Sequence, residues 1–298
     1  MKKSKLKGSK NKNSALWFSF FVGPILIAFL LVVIIPAILG IYYSFTNWNG
    51  IENKAAFVGL ANYKEIFKGE SGFLQAFLFT AKFSVVSVVM INLIGFGLAL
   101  LVTRGMKISN FLRSIFFMPN MVGGLILGFI WQFIFTKAFD SIGTKLGWDF
   151  LTGWLSTTGT GFWGLVILMS WQMSGYMMVV YIAALQGIPE SLKEAAEIDG
   201  ANGFRKLISI VIPLVAPAFT VGVFLTLSNS FKLFDQNLSL TAGGPYNSTQ
   251  MLALNIYNSA FIYNKFGVAQ AKAVVFLIAV AAITLTQLSI SKKKEVEM

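Results

Sequence analysis

Residues 188–217 read IPESLKEAAEIDGANGFRKLISIVIPLVAP. The stretch sits between two long apolar runs, yet it carries four carboxylates, Glu190, Glu194, Glu197 and Asp199. A helix is written into it locally. Pro189 suits a first helical position, where a missing N–H costs nothing. Ser191 and Glu194 have the S-x-x-E spacing of a capping box, one residue out of phase with that start. Leu192, Ala195 and Ala196 share one face, with small side chains that allow close backbone approach. Gly200 supplies a left-handed residue to end the helix, and Asn202 is placed to cap the next one. The reading is a short acidic helix, held between membrane spans and suited to docking against another protein.

The flanking sequence fixes what surrounds that helix. Hydrophobic residues make up 56% of the 298 and charged residues 12%, more apolar surface than a soluble chain can hide. Apolar runs at 15–45, 73–102, 111–135, 162–185, 208–227 and 269–290 each reach the roughly 20 residues that a bilayer crossing requires. The first run lacks the short apolar region and small-residue cleavage site of a signal peptide. Residues 136–160 read as a loop, and 231–266 as an outer segment with short helical pieces around 251–260. The expected fold class is all-α integral membrane, with six transmembrane helices. Its divisions are a basic tail at 1–14, a helical domain at 15–291 with its core from about 73, an acidic loop at 188–213, and a second tail at 292–298.

Charge orients the chain. It has 24 Lys and Arg against 12 Asp and Glu, a net +12. With both termini inside, the inner segments collect fifteen basic residues and the outer loops seven, the positive-inside pattern. Lys82 and Lys272 fall near outer helix ends, where long stems can snorkel. The basic balance is therefore a topology signal and not a nucleic-acid footprint. It places the acidic helix in the cytoplasm.

Composition also removes chemistry. Without Cys or His there is no disulfide framework, no zinc site of the usual ligands and no imidazole-dependent catalysis. No G-x-x-x-x-G-K-[ST] loop is present for ATP. Every carboxylate falls in a loop or at a span edge, which disfavours a proton relay through the membrane. Sodium coupling through neutral ligands and a membrane-bound glycosyl transferase are the other classes in play. A transporter with no drive of its own must borrow one from a partner, and the acidic helix is the place to do so. G-x-G-x-x-G at 159–164 has no strand before it and is not a dinucleotide site. Gly124 and Gly128 form a G-x-x-x-G that permits close helix packing, within the chain or against a partner. Gly243-Gly244-Pro245 reads as a turn.

Two signatures carry a family resemblance. Glu194-Ala195-Ala196, three further residues, Gly200 and then Ile212-Pro213 resemble the EAA loop of the permeases of ABC importers. FKLFDQNLSLTAGGPYNST (231–249) and LNIYNSAFIYNKFGVAQAKA (254–273) are similar to the carbohydrate branch of that family. The likeness extends from about residue 15 to the C-terminus. It implies the importer-permease (MetI-like) fold in a bacterial plasma membrane. The implied partners are a second homologous permease, an ABC ATPase dimer, an external sugar-binding protein, membrane lipid and a sugar or oligosaccharide. This chain would bind no cofactor itself, since ATP and magnesium belong to the ATPase. Glu190, Glu194, Ala195, Ala196, Asp199 and Gly200 would form the coupling helix that meets it. Carried over position by position, Asn120, Gly124, Gln172, Met173, Tyr176, Asn229 and Ser230 would line the substrate path. Amides, hydroxyls and aromatic faces are what sugars bind to. The same residue types also bond neighbouring helices to each other.

Overall fold

The computed structural model describes residues 12–52, 55–68 and 72–292. The expected basic tail, apart from its last residues, lies outside these, as do 293–298, Lys54 and Glu70. Six helices are long and apolar enough to span a membrane: α1 (Trp17–Tyr43), α3 (Phe73–Val102), α5 (Gly124–Leu146), α6 (Thr158–Gln186), α8 (Gly203–Phe231) and α11 (Phe266–Ser291). Between them lie α2 (Ala61–Phe67), α4 (Ser109–Phe117), α7 (Glu190–Ile198), α9 (Asp235–Leu240) and α10 (Leu252–Ile262). Among the described residues the only strand-like feature is one isolated bridge, Thr46 to Phe57.

The third span departs from expectation. The apolar run 111–135 is divided: α4 ends at Phe117, Met118–Met121 forms a 3₁₀ turn, and Val122 is extended. Pro119 within that turn has no N–H to continue an α-helix. The span restarts at Gly124 and runs to Leu146, taking in residues expected as loop. Two prolines are absorbed differently. Pro36 and Pro213 each follow a wide π-type turn, Leu30–Ile34 and Leu207–Val211, so the helix bends without ending.

The core is built on α3 and α6, the most extensively packed pair, with α8 crossing both. Phe83, Ile91, Phe96 and Ala99 of α3 meet Leu165, Met169, Met177 and Tyr181 of α6. Small residues set the distances. A Cβ on Gly95 would lie 2.8 Å from Met177 Cβ, and one on Gly175 would overlap the Phe116 carbonyl of α4. Polar groups inside are tied across helices. Asn92 donates to Thr226 Oγ1 at 2.9 Å and accepts from the Tyr181 hydroxyl, joining α3, α6 and α8. Such bonds between spans are worth about 0.6 kcal/mol on average.

The segment 231–266 folds over one end of this body. Gly124 and Gly128 of α5 face Asp235, Gln236 and Ser239, so the G-x-x-x-G seats α9 within the chain. Asn237, fully buried, donates to Thr249 O at 2.9 Å and accepts from Met251 N at 2.9 Å. Those two bonds pin the turn around Gly243-Gly244-Pro245. Lys272 does not snorkel. It is 2% exposed, and its Nζ donates to Asn255 Oδ1 and Ser259 Oγ at 2.8 Å each, fastening α10 to α11. A buried ammonium this well bonded trades solvation for fixed oxygen partners.

Candidate functional site: a midspan cavity and an exposed acidic helix

A cavity of about 480 Å³ opens between α6, α8 and α9, a volume within the range of small-molecule sites. Gln172, Met173 and Tyr176 come from the middle of α6, spaced to fall on one helix face. Asn229 comes from the last turns of α8, and Asn120 from the 3₁₀ turn before α5. Gln172 is held on both sides. Its Nε2 donates to Val122 O at 3.3 Å and its Oε1 accepts from Gln236 Nε2 at 2.8 Å. Asn229 Nδ2 donates back to Leu225 O at 2.8 Å, and its carbonyl oxygen has no partner among the described residues. Among the described residues the Asn120 amide and the Tyr176 hydroxyl have no protein partner. Donors, acceptors and the Tyr176 ring thus converge on a common space.

Two of the residues expected on this path lie beside it. Gly124 packs against Asp235 and Gln236, behind the wall. Ser230 is fully buried, its hydroxyl donating to Thr226 O at 2.7 Å within its own helix. The cavity also holds groups that sequence reasoning did not select: Lys232, Phe234, Asp235 and Gln236. The signal for them was available, since all four fall in the motif at 231–249. Trp171 faces another way, packing edge-on against Trp131 at 5.6 Å on a separate apolar groove.

The same α6 runs out through Gly187-Ile188-Pro189 into α7. Pro189 is the residue before the helix and not its first turn, with extended ψ of 133°, and no side chain caps it. The Ser191–Glu194 capping box does not form. The far end is built as a Schellman motif: Gly200 N donates to Glu197 O at 3.0 Å and Ala201 N to Ala196 O at 2.9 Å. Gly200 takes φ +75°, the left-handed conformation that motif requires. Asn202 then caps the next helix through Arg205 N at 2.8 Å.

Almost the whole of α7 is open. Ala196 is its one buried residue, while Glu190, Glu194, Ala195 and Asp199 are exposed and Gly200 beyond them is too. Leu192 at 43%, Ile198 at 87% and Phe204 at 71% exposure add an apolar component to an acidic surface. Glu190 pairs with Lys193 at 2.9 Å, and Glu197 with Lys206 at the start of α8. The hydrogen bond from Lys206, then its charge, hold the Glu197 carboxyl below the usual 4.5. That link ties α7 to the span that follows it.

The comparisons with known proteins agree with this architecture. A family model described as binding-protein-dependent transport system inner membrane component matches residues 91–294. The chain is 53% identical over 294 residues to a probable starch degradation products transport system permease of Thermoanaerobacterium thermosulfurigenes, covering 98% of this chain and 99% of that one. A multiple sugar-binding transport system permease of Streptococcus mutans is 32% identical over 280 residues, covering 94% of this chain and 96% of that one. Among solved structures, a chain of a bacterial ABC transporter involved in the import of alginate superposes with TM-score 0.83 at 19% identity. It covers 95% of this chain and 96% of its own, and it supports the fold. The helical body from α3 to α11, with its exposed helix between α6 and α8, therefore belongs to the family of binding-protein-dependent transport system inner membrane components.

Proposed function

We propose that this chain is one permease subunit of an ATP-driven importer of sugars or oligosaccharides. The observation that carries the proposal is the continuity of α6. One buried helix carries four cavity residues near its middle, Met169, Gln172, Met173 and Tyr176, and leads at its end into α7, an acidic helix with almost no contacts inside the chain. A displacement of α7 by a partner is thereby delivered to the cavity wall through packed helices that move as rigid bodies.

In this mechanism an external binding protein delivers solute to the outer segment around α9 and α10. A second, homologous permease closes the open side of the cavity. An ATPase dimer grips α7 and its counterpart through Glu190, Glu194, Ala195, Asp199 and Gly200, while Ala196, expected among them, is buried within the chain and out of a partner's reach. ATP-driven closure of the dimer draws the two helices together and opens the cavity outward, and hydrolysis reverses it. ATP and magnesium act on the ATPase, and no cofactor is bound by this chain. Both termini lie in the cytoplasm, as the charge distribution supports. Neutral amides and an aromatic ring suit hydroxyl-rich solutes. The starch-degradation relative makes α-glucan oligosaccharides the first to test.

The test is purification of the tagged full chain in mild detergent, with mass identification of co-purifying proteins. An ABC ATPase and a second six-span permease are expected. A chain that purifies alone, and still moves oligosaccharide across liposomes without ATP, would overturn the proposal.

A further inference from the structure

A second cavity, of about 800 Å³, lies at the other end of the spans, between the C-terminal end of α3, the start of α4, the end of α6, α7 and the start of α8. Its lining combines apolar residues, Leu100, Leu185, Leu207 and Val211 among them, with cationic ones. Arg104, Arg113, Lys193 and Lys206 face it, and so do the carboxylates Glu190 and Glu197. The carboxylates are committed. Glu190 is paired with Lys193 and Glu197 with Lys206, so each lysine is neutralised. Arg104 and Arg113 are left with no ion pair among the described residues, an excess of two positive charges.

Two further groups point to an occupant. Ser109, at the first turn of α4 and 9% exposed, has a buried hydroxyl with no hydrogen-bond partner. Arg113 lies one helical turn on, and its Nε is likewise buried and unpartnered. Buried donors without partners are rare in folded proteins and costly where they occur. Ser109 is the first residue of a nine-residue helix, where backbone N–H groups and the helix dipole favour an anion, and Arg113 follows on the next turn. A guanidinium fork, a hydroxyl and a helix start are donors only or readily become so, and together they match the oxygens of a phosphate.

We infer that this cavity is a phosphate-binding site, with Arg104, Arg113 and Ser109 as its ligands. The phosphate is that of a phospholipid headgroup or a free phosphate anion. The apolar lining suits the lipid, whose chains would lie along Leu100 and Val211 while the headgroup meets the arginines. Because α7 forms part of the same wall, an occupant braces the coupling helix against α3 and α4. The inference concerns binding alone and stands whatever solute the importer carries.

The experiment is native mass spectrometry of the full chain, with whatever partners it retains, released from neutral detergent. It is titrated separately with phosphatidylglycerol, phosphatidylcholine and inorganic phosphate. The variants are R104Q/R113Q, S109A, and R113K as a control that keeps the charge. Phosphatidylglycerol should be retained roughly thirtyfold more strongly by the wild type than by R104Q/R113Q, as two lost basic contacts at a membrane surface imply. S109A should fall between, and R113K should recover part of the loss. If inorganic phosphate shows the same dependence on the arginines and the lipid does not, the site is supported with a soluble anion as its source. Equal retention of every probe by the wild type and R104Q/R113Q, with both eluting as folded protein of the same thermal stability, would overturn the inference. So would binding of phosphatidylcholine that ignores the arginines.

Discussion

Helices α6 and α7 are continuous in sequence and opposite in character. Seventy-two per cent of the apolar window of α6 is buried within the chain, whereas α7 buries only Ala196. The first is packed by small residues that let α3, α4 and α8 approach, and the second is covered with carboxylates and a few exposed apolar side chains. The contrast shows a division of labour along one segment. What α6 buries fixes the cavity, and what α7 leaves uncovered is available to a partner. Substitutions in α6 should therefore act on folding or on solute, and substitutions in α7 on coupling.

The largest effect is expected at Gly175. A valine there would drive its Cβ into the Phe116 carbonyl, a backbone group that cannot rotate away. The overpacking should cost at least the about 1–3 kcal/mol typical of such changes, and G175V should show reduced yield and a lowered thermal midpoint in detergent. Next comes Gly200. No atom lies within 4 Å of a Cβ placed there, but its φ of +75° strains any β-branched residue. The roughly 1–2 kcal/mol is local to the end of α7. G200V should be made at wild-type abundance and lose uptake by about tenfold or more. Normal uptake would break the contrast, because α7 would then tolerate a disrupted end.

Gln172 is a sharper probe of the cavity. Q172A removes the acceptor for Gln236 and the donor to Val122. It should raise the half-saturating solute concentration by roughly tenfold, the equivalent of one to two hydrogen bonds, while leaving co-purification with an ATPase intact. The smallest effect belongs to Glu197. Its pKa is lowered chiefly by the hydrogen bond from Lys206, so the contribution is fully present above the usual 4.5 and is lost as pH falls through the lowered value. The protection factors of the amides at 200–206, that is, exchange corrected for its intrinsic pH dependence, should be steady from neutral pH down to that range and then fall. E197Q should remove the acid-dependent step. The pair is exposed, and global stability should not change measurably.

Much of the fold was legible because its signals are local or additive. Hydropathy located five of the six spans to within several residues, and Gly200 with Asn202 marked the end of α7 and the start of α8. The third span was displaced because one continuous apolar run contains Pro119 and Gly123-Gly124, and hydropathy averages over such breaks. Lys272 was misplaced for a different reason. Only the tertiary fold brings Asn255 and Ser259 against it, and nothing in its own neighbourhood in sequence announces partners more than ten residues away. The cavity was partly legible. Asn120, Gln172, Met173, Tyr176 and Asn229 line it, but Asp235 and Gln236 enter through α9, which folds back on Gly124 and Gly128. Residue type alone did not separate Asn229, which faces the cavity, from Ser230 beside it, which bonds its own helix.

The central claim is that this chain moves solute only when a partner works α7. The most direct measurement is oligosaccharide accumulation in proteoliposomes holding the purified assembly, with and without enclosed ATP, for the wild type and G200V. The account predicts ATP-dependent accumulation by the wild type, and for G200V an assembly that still hydrolyses ATP but accumulates little. Accumulation without ATP, or equal transport by the two, would contradict it.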